Sequence, residues 1–217
     1  MAAKSTKDEP ELCASPVIIA LDPGGTTGWS ILKVHPVALI DPEIPILSNI
    51  EAWRSGQFTG NENQQAKDIL EIVENWEGAA VVMESFILRK FSSDEDLLSP
   101  VRLLAKIEYG MWLLDRGFFK QQPSEAKGVA TDDRLKSWGL YKSEGGMQHA
   151  RDADRHGITF LRKCKAKAGL RGYAWPHLFG EGAEFGPDLP VEEVAAQEVE
   201  KHFGGFGYDP DAMAAIG

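Results

Sequence analysis

The sequence predicts an α/β fold with five strands, and three observations predict it. Two short apolar runs rich in β-branched residues, 17–21 and 79–83, read as fully buried strands. Each run ends at once in a carboxylate, Asp22 and Glu84. Between and after them, apolar residues recur every three or four positions, so helices alternate with strands along the 217 residues.

Taken in order, residues 1–15 are polar, with Lys4, Lys7, Asp8, Glu9 and Pro10, and are expected to be a disordered N-terminus. Strand 17–21 leads through Asp22 into Pro23-Gly24-Gly25-Thr26-Thr27-Gly28, and the apolar pattern resumes at 29–32, which predicts a hairpin. Pro23 fixes its φ, and Gly24, Gly25 and Gly28 are expected to supply positive φ in the turn. Asp22 reads either as an acid aimed over the sheet edge or as a turn cap. Residues 34–50, with three prolines, read as a loop or insertion. A third strand over 51–58 would carry Trp53, Ser55 and Gln57 on one face.

Ile69, Ile72, Val73 and Trp76 stand at helical spacing over 61–76, with Asn61 or Asn63 as cap and Gly78 as the stop. A long helix over 94–116 carries Leu97, Val101, Leu104, Ile107, Met111 and Leu114, widened by Leu103, Trp112 and Leu113. Pro100 is expected in its first turn or as the mark of a late start. So broad a face is either packed core or a dimer seam. A fifth strand over 118–122 and a short helix over 131–141, with Leu135 and Trp138 inward, precede a final helix over 147–164.

On that last helix Ala150, Ala153, Gly157, Leu161 and Cys164 form a narrow stripe of small and apolar residues that can press against a sheet. His149 and Asp152, three apart, share a neighbouring face, with His156 four beyond. Asp154 lies about 200° around the helix from Asp152, on a side expected to meet water. The domain is placed at 16–170, and an acidic extension at 171–217, where a short amphipathic helix over 191–203 is expected.

An apolar content of 43% with 26% charged residues is that of a globular protein, and no run has membrane-spanning length. Two cysteines, Cys13 and Cys164, exclude a disulfide framework, so a bacterial or phage-infected host cytoplasm is expected. The net charge of −10 argues against a nucleic-acid partner, but its distribution is uneven. Residues 85–172 hold 17 Lys and Arg against 11 Asp and Glu, whereas 173–217 hold 1 against 9. The basic middle is either a polyanion-binding surface or a set of solvated helices.

Asp22, Glu84 and Asp152, with His149 beside the last, form a set of hard oxygen ligands and one imidazole. Three carboxylates in one cleft require a counter-charge, and a pair of Mg²⁺ or Mn²⁺ ions would supply it. Two such ions roughly 3.5–4 Å apart activate water on one side of a phosphodiester and stabilise the leaving oxygen on the other. Metal-dependent phosphodiester hydrolysis is the chemistry this set suits. His149 either completes a metal site, assists proton transfer or merely packs at the helix start.

Ile18-Ile19-Ala20-Leu21-Asp22-Pro23-Gly24 followed by Thr27-Gly28-Trp29-Ser30 resembles the first strand and turn of the RuvC-type Holliday-junction resolvases. Val82-Met83-Glu84-Ser85-Phe86 resembles their second acidic strand, and residues 123–127 a strand-end segment with a proline and a basic residue. His149-Ala150-Arg151-Asp152-Ala153 resembles their C-terminal catalytic helix. The pattern covers about residues 16–165 and is most similar to bacteriophage members. The resemblance implies a ribonuclease H-like mixed five-stranded sheet flanked by helices. It also implies Asp22, Glu84 and Asp152 as metal-binding catalytic acids, with His149 where the family has an acid or a histidine. Asp154-Arg155-His156 departs from the family's small and aliphatic residues, so Asp154 competes for the third acid's role.

The expected function is a Mg²⁺-dependent endonuclease on branched DNA, a four-way junction or else a flap or fork. Arg89, Lys90, Lys127, Lys136, Lys142 and Arg151 are candidate phosphate contacts, and Phe86 or Phe91 could stack on an unpaired base. Two cuts require two sites, which predicts a homodimer through the long helix. Two other classes compete. Asp22-Pro23-Gly24-Gly25-Thr26-Thr27 also resembles the first phosphate loop of sugar kinases and related ATPases, without the second loop those proteins need. A catalytically inactive DNA-binding scaffold is the third.

Overall fold

Five strands form one mixed sheet in the order β3-β2-β1-β4-β5, as the computed structural model describes for residues 13–85 and 95–180. The strands are β1 (Val17–Asp22), β2 (Thr27–Val34), β3 (Ile50–Phe58), β4 (Ala80–Glu84) and β5 (Phe119–Gln121). β1 sits at the centre, antiparallel to β2 and parallel to β4. β2 pairs antiparallel with β3, and β4 pairs parallel with β5.

Alternation along the two central strands divides the core in two. Val17, Ile19 and Leu21 of β1 and Val81 and Met83 of β4 are buried on one face. Helices α2 (Glu62–Asn75) and α3 (Glu95–Leu113) cover it with Ile69, Val73, Leu103, Ile107 and Met111. Asn61 caps α2 by accepting from the backbone N–H groups of Asn63 and Gln64, and Gly78, at φ +75°, closes the turn after it. Ile18 and Ala20 of β1 and Ala80 and Val82 of β4 face the other way, toward Ile158, Phe160 and Leu161 of α6 (Gln148–Ala166). Period two then sends Asp22 and Glu84 to the α6 face as well.

The stretch over 34–50 is structured rather than a plain loop. It holds α1 (Val37–Ile40) and a short 3₁₀ turn, and buries Ala38, Leu39 and Ile46 in the α6-side core. Apolar residues without helical period thus serve as a floor for that core. Pro100 lies inside α3, not in its first turn; it withholds one helical N–H, a tolerable cost in a helix whose opposite face is packed. Residues 123–127 begin a helix, α4 (Pro123–Val129), followed by α5 (Asp132–Ser137), which Thr131 caps.

Packing continues past residue 170. Arg171 in α7 (Ala168–Ala174) donates to the Leu39 and Cys164 carbonyls. Trp175 is fully buried and donates to the Val17 carbonyl, and α8 (Pro176–Phe179) adds Leu178 and Phe179. The residues that seat this segment, Arg171, Trp175, Leu178 and Phe179, span only 171–179 before the acidic stretch that follows, which is why composition alone reads as a tail. No helix among the described residues is long and apolar enough to cross a membrane. The expected helix over 191–203 and residues 1–12 lie outside the described residues.

Candidate active site

One row of the sheet defines the site. β1 and β2 place Asp22 opposite Gly28, β2 and β3 place Gly28 opposite Gln57, and β4 and β5 place Glu84 opposite Gln121. Leu21 pairs with Met83, so Asp22 and Glu84 are neighbours one residue further on. The row reads Gln57, Gly28, Asp22, Glu84, Gln121, and residues in register share a face. The N-terminal half of α6 lies over it.

Four members of that row meet α6 directly, and Gly28 leaves room for it. Gln57 Oε1 accepts from the backbone N–H of His149 at 2.9 Å and of Ala150 at 3.3 Å, while its Nε2 donates to the Gly146 carbonyl. It thereby caps a helix that has no side-chain cap of its own. A Cβ on Gly28 would lie 1.9 Å from the His149 carbonyl oxygen. None of Gly24, Gly25 and Gly28 has positive φ, so the expectation drawn from the turn is corrected: Gly28 is needed for helix approach.

Asp22 Oδ2 stands 2.8 Å from His149 Nδ1. Burial pushes the Asp22 carboxyl up from its ordinary value, the His149 contact opposes this, and the charges of Glu84 and Asp152 raise it further. His149 is raised in turn, chiefly by its bond to Asp22, against the effect of its partial burial. Glu84 Oε2 stands 2.7 Å from His156 Nε2, and His156 Nδ1 lies 2.9 Å from Gln121 Oε1. A carboxylate only accepts, so Nε2 carries the proton toward Glu84. In the neutral ring Nδ1 then accepts. The Gln121 amide nitrogen, buried without a partner among the described residues, is the donor that a half-turn of the amide brings to it.

Asp152 Oδ1 accepts from the Arg155 guanidinium, which also bonds Asp132 and donates to the Ala130 carbonyl at 2.8 Å. Each acid therefore has a nitrogen partner within the chain. Asp22 Oδ1, Glu84 Oε1 and Asp152 Oδ2 have no hydrogen-bond partner among the described residues. Among those residues no group of three or more His, Cys, Asp and Glu side chains is close enough together to hold one ion. The chemistry of the donor set nonetheless fits a hard divalent cation: three buried or half-buried carboxylates, each with one oxygen open.

Asp154 does not meet water. It is fully buried, its Oδ1 accepting from Trp53 Nε1 at 2.8 Å and its Oδ2 from Ser55 Oγ at 3.1 Å. Burial pushes its carboxyl up to about 6, against the opposing effect of the Trp53 bond. The expected face of β3 is right: Trp53, Ser55 and Gln57 all turn to α6. The polar run Asp154-Arg155-His156 is accordingly three buried residues with separate partners, on β3, Asp152 and Glu84. Arg155 is the site residue that sequence reasoning passed over, and His156, though placed on the face of His149 and Asp152, was given no role. Their one signal was position, three and four residues beyond Asp152.

The candidate phosphate contacts divide. Lys127 and Lys136 are exposed, the latter 3.6 Å from Asp133 and over the Tyr141 ring. Lys142 instead donates to the Ser55 carbonyl at 2.5 Å, which ties it to β3, and Arg151 donates to the Lys142 carbonyl, which ties Lys142 to α6. Arg89, Lys90, Phe86 and Phe91 lie outside the described residues.

No family model and no curated protein matches the sequence. Solved structures do match in shape. Thermus thermophilus RuvC in complex with Holliday junction substrate aligns with a TM-score of 0.53 at 14% identity, covering 70% of this chain and 96% of that one. A second Thermus thermophilus RuvC structure aligns at 0.46, with 16% identity and coverage of 71% and 97%. The yeast mitochondrial Holliday junction resolvase Ydc2 aligns at 0.45, with 12% identity and coverage of 76% and 84%. With its mixed five-stranded sheet flanked by helices, the chain has the ribonuclease H-like fold of RuvC.

Proposed function

We propose that the chain is a metal-dependent endonuclease acting on branched DNA, with a four-way junction as its substrate. The observation that carries the reading is the placement of Asp22 and Glu84 side by side on one sheet row, with His149 and Asp152 of α6 over it. Three acids share a partly desolvated cleft, and their mutual repulsion already raises Asp22. That is a site in want of positive charge.

Asp22, Glu84 and Asp152, with His149, are the residues that would hold Mg²⁺ or Mn²⁺ through the open carboxylate oxygens. When bound, two such ions supply a nucleophilic water and stabilisation of the leaving 3′-oxygen. Asp22 fixes His149 through Nδ1, which leaves Nε2 as the nitrogen available to take or give a proton beside the phosphodiester. His156 holds Glu84 against the end of β4, and Gln57 holds the start of α6 over the row. Lys127 and Lys136 present exposed ammonium groups for the DNA backbone, so affinity falls as salt rises. A junction is cut on two strands, and the exposed residues of α3 provide the seam for a second copy.

Cleavage assays on four-way junction, flap, linear duplex and RNA–DNA hybrid, each with Mg²⁺ or Mn²⁺, test the reading. Junction cutting is expected to exceed cutting of duplex and hybrid, and Asp22→Asn to abolish it while junction binding persists. Asp22→Asn cutting at the wild-type rate, or a preference for linear duplex, overturns the proposal.

A further inference from the structure

Of the three acids, Asp152 is the one paired with a permanent cation. Asp22 and Glu84 meet imidazoles, but Asp152 meets Arg155, whose guanidinium stays charged at any working pH. Arg155 is itself 11% exposed at the side chain and held on three sides. Besides Asp152, it bonds the Ala130 carbonyl after α4 and Asp132 at the start of α5. A guanidinium so tied cannot swing away when the site fills. Buried ion pairs contribute little net stability, so stability alone does not account for this one.

Two consequences follow for the cleft. One arm of the guanidinium, Nη1, engages Asp152 through Oδ1 while Nη2 and Nε are held by Asp132 and Ala130, which anchors that oxygen and leaves Oδ2 as the open one. The guanidinium, shared between Asp152 and Asp132, also sets positive charge beside Asp152, so a divalent ion meets a weaker negative field than the three carboxylates alone would create. Resting on the reading above of these acids as ion ligands, we infer that Arg155 is the positioning residue of the site. It orients Asp152 and at the same time weakens the cleft's attraction for divalent cations. Ion affinity and turnover are thereby set against each other through one side chain.

The test compares Arg155→Gln and Arg155→Lys with wild type in the full chain. Mn²⁺ binding to the DNA-free protein is read by electron paramagnetic resonance, and junction cleavage is measured at saturating Mn²⁺. Arg155→Gln removes the charge, so the Mn²⁺ Kd is expected to fall about tenfold. Its kcat is expected to fall about 100-fold, because Asp152 loses its orientation. Arg155→Lys keeps the charge but not the fork, so its Kd stays within about threefold of wild type while kcat falls about tenfold.

A merely structural arginine would weaken ion binding and turnover together, and that result in Arg155→Gln overturns the inference. So does wild-type kcat in Arg155→Lys, which remains decisive where circular dichroism shows that Arg155→Gln has not folded. A wild-type chain that binds Mn²⁺ yet cuts no branched DNA removes the nuclease reading but leaves the Mn²⁺ comparison in force. A wild-type chain that binds no Mn²⁺ overturns both.

Discussion

At the scale of single residues, Asp154 shows what a buried acid does when it is not facing the cleft. Its carboxyl, raised to about 6 by burial, binds a proton more tightly in the folded chain than in the unfolded one, where its ordinary value is 3.8. Folding stability contributed at this position is therefore present below about pH 4 and is lost as pH rises to about 6. A shift of this size corresponds to an upper bound of about 3 kcal/mol. Asp154→Asn keeps an acceptor for Trp53 and offers Ser55 a donor, without a charge to bury. Its unfolding free energy relative to wild type is expected to improve by up to about 3 kcal/mol between pH 4 and pH 7, measured by urea denaturation across that range. Parallel pH profiles for the two proteins would remove the explanation. The sequence suggested the opposite surroundings because a helical wheel assumes one buried face. α6 is instead enclosed by β3 on one side, by the sheet beneath and by α4 on another, so residues 152–161 are buried without interruption. The same enclosure hid the roles of Arg155 and His156, whose partners come from 72 residues away in one case and three in the other.

At the scale of elements, the strands that carry the acids were legible because a buried strand is a continuous apolar run, and period two then fixes where its last residue points. β1 and β4 end at Asp22 and Glu84 for that reason. The small-residue stripe of α6 was legible too: a Cβ on Gly157 would lie 2.6 Å from Leu32 Cδ1, so the helix does press on the sheet there. What sequence could not show is which turn glycine matters, because close approach depends on a helix 120 residues away. Gly28→Ala would drive a Cβ into the His149 backbone, which cannot yield as a side-chain tip can. The start of α6 must then lift, separating His149 from Asp22. Cleavage is expected to fall about 100-fold, as a displacement near 1 Å suffices for that. Thermal unfolding should report a loss of about 1–3 kcal/mol, typical of overpacking. Gly25→Ala is the contrast, since nothing lies within 4 Å of its Cβ position and its φ is not positive. Equal sensitivity at the two positions would contradict this account and restore the turn as the reason for both glycines.

At the scale of the whole molecule, α3 has two apolar sides and the fold uses one. Leu103, Ile107 and Met111 are buried against the sheet, whereas Tyr109, Trp112 and Leu113 are 61%, 62% and 61% exposed. Tyr109 and Trp112 stack on each other, with ring centroids 5.8 Å apart, and Leu98 and Val101 extend the patch toward the start of the helix. The breadth of the stripe in the sequence thus resolves into a core side and an outer side. Large aromatic residues held open to water at the end of a packed helix have the composition of an interface centre. A second copy paired through this face would set two clefts in fixed relation, which the two cuts of a junction need. Trp112→Glu places a charge where such a seam would be dry, and the side chain it replaces carries no core packing, so the monomer's fold should be retained. Sedimentation at assay concentration is expected to show wild type as a dimer and Trp112→Glu as a monomer. On a junction in a supercoiled plasmid, the variant should leave nicked product, where wild type completes both cuts within one encounter. A wild-type chain that sediments as a monomer while still making paired cuts would mean that the second active site is not brought by α3.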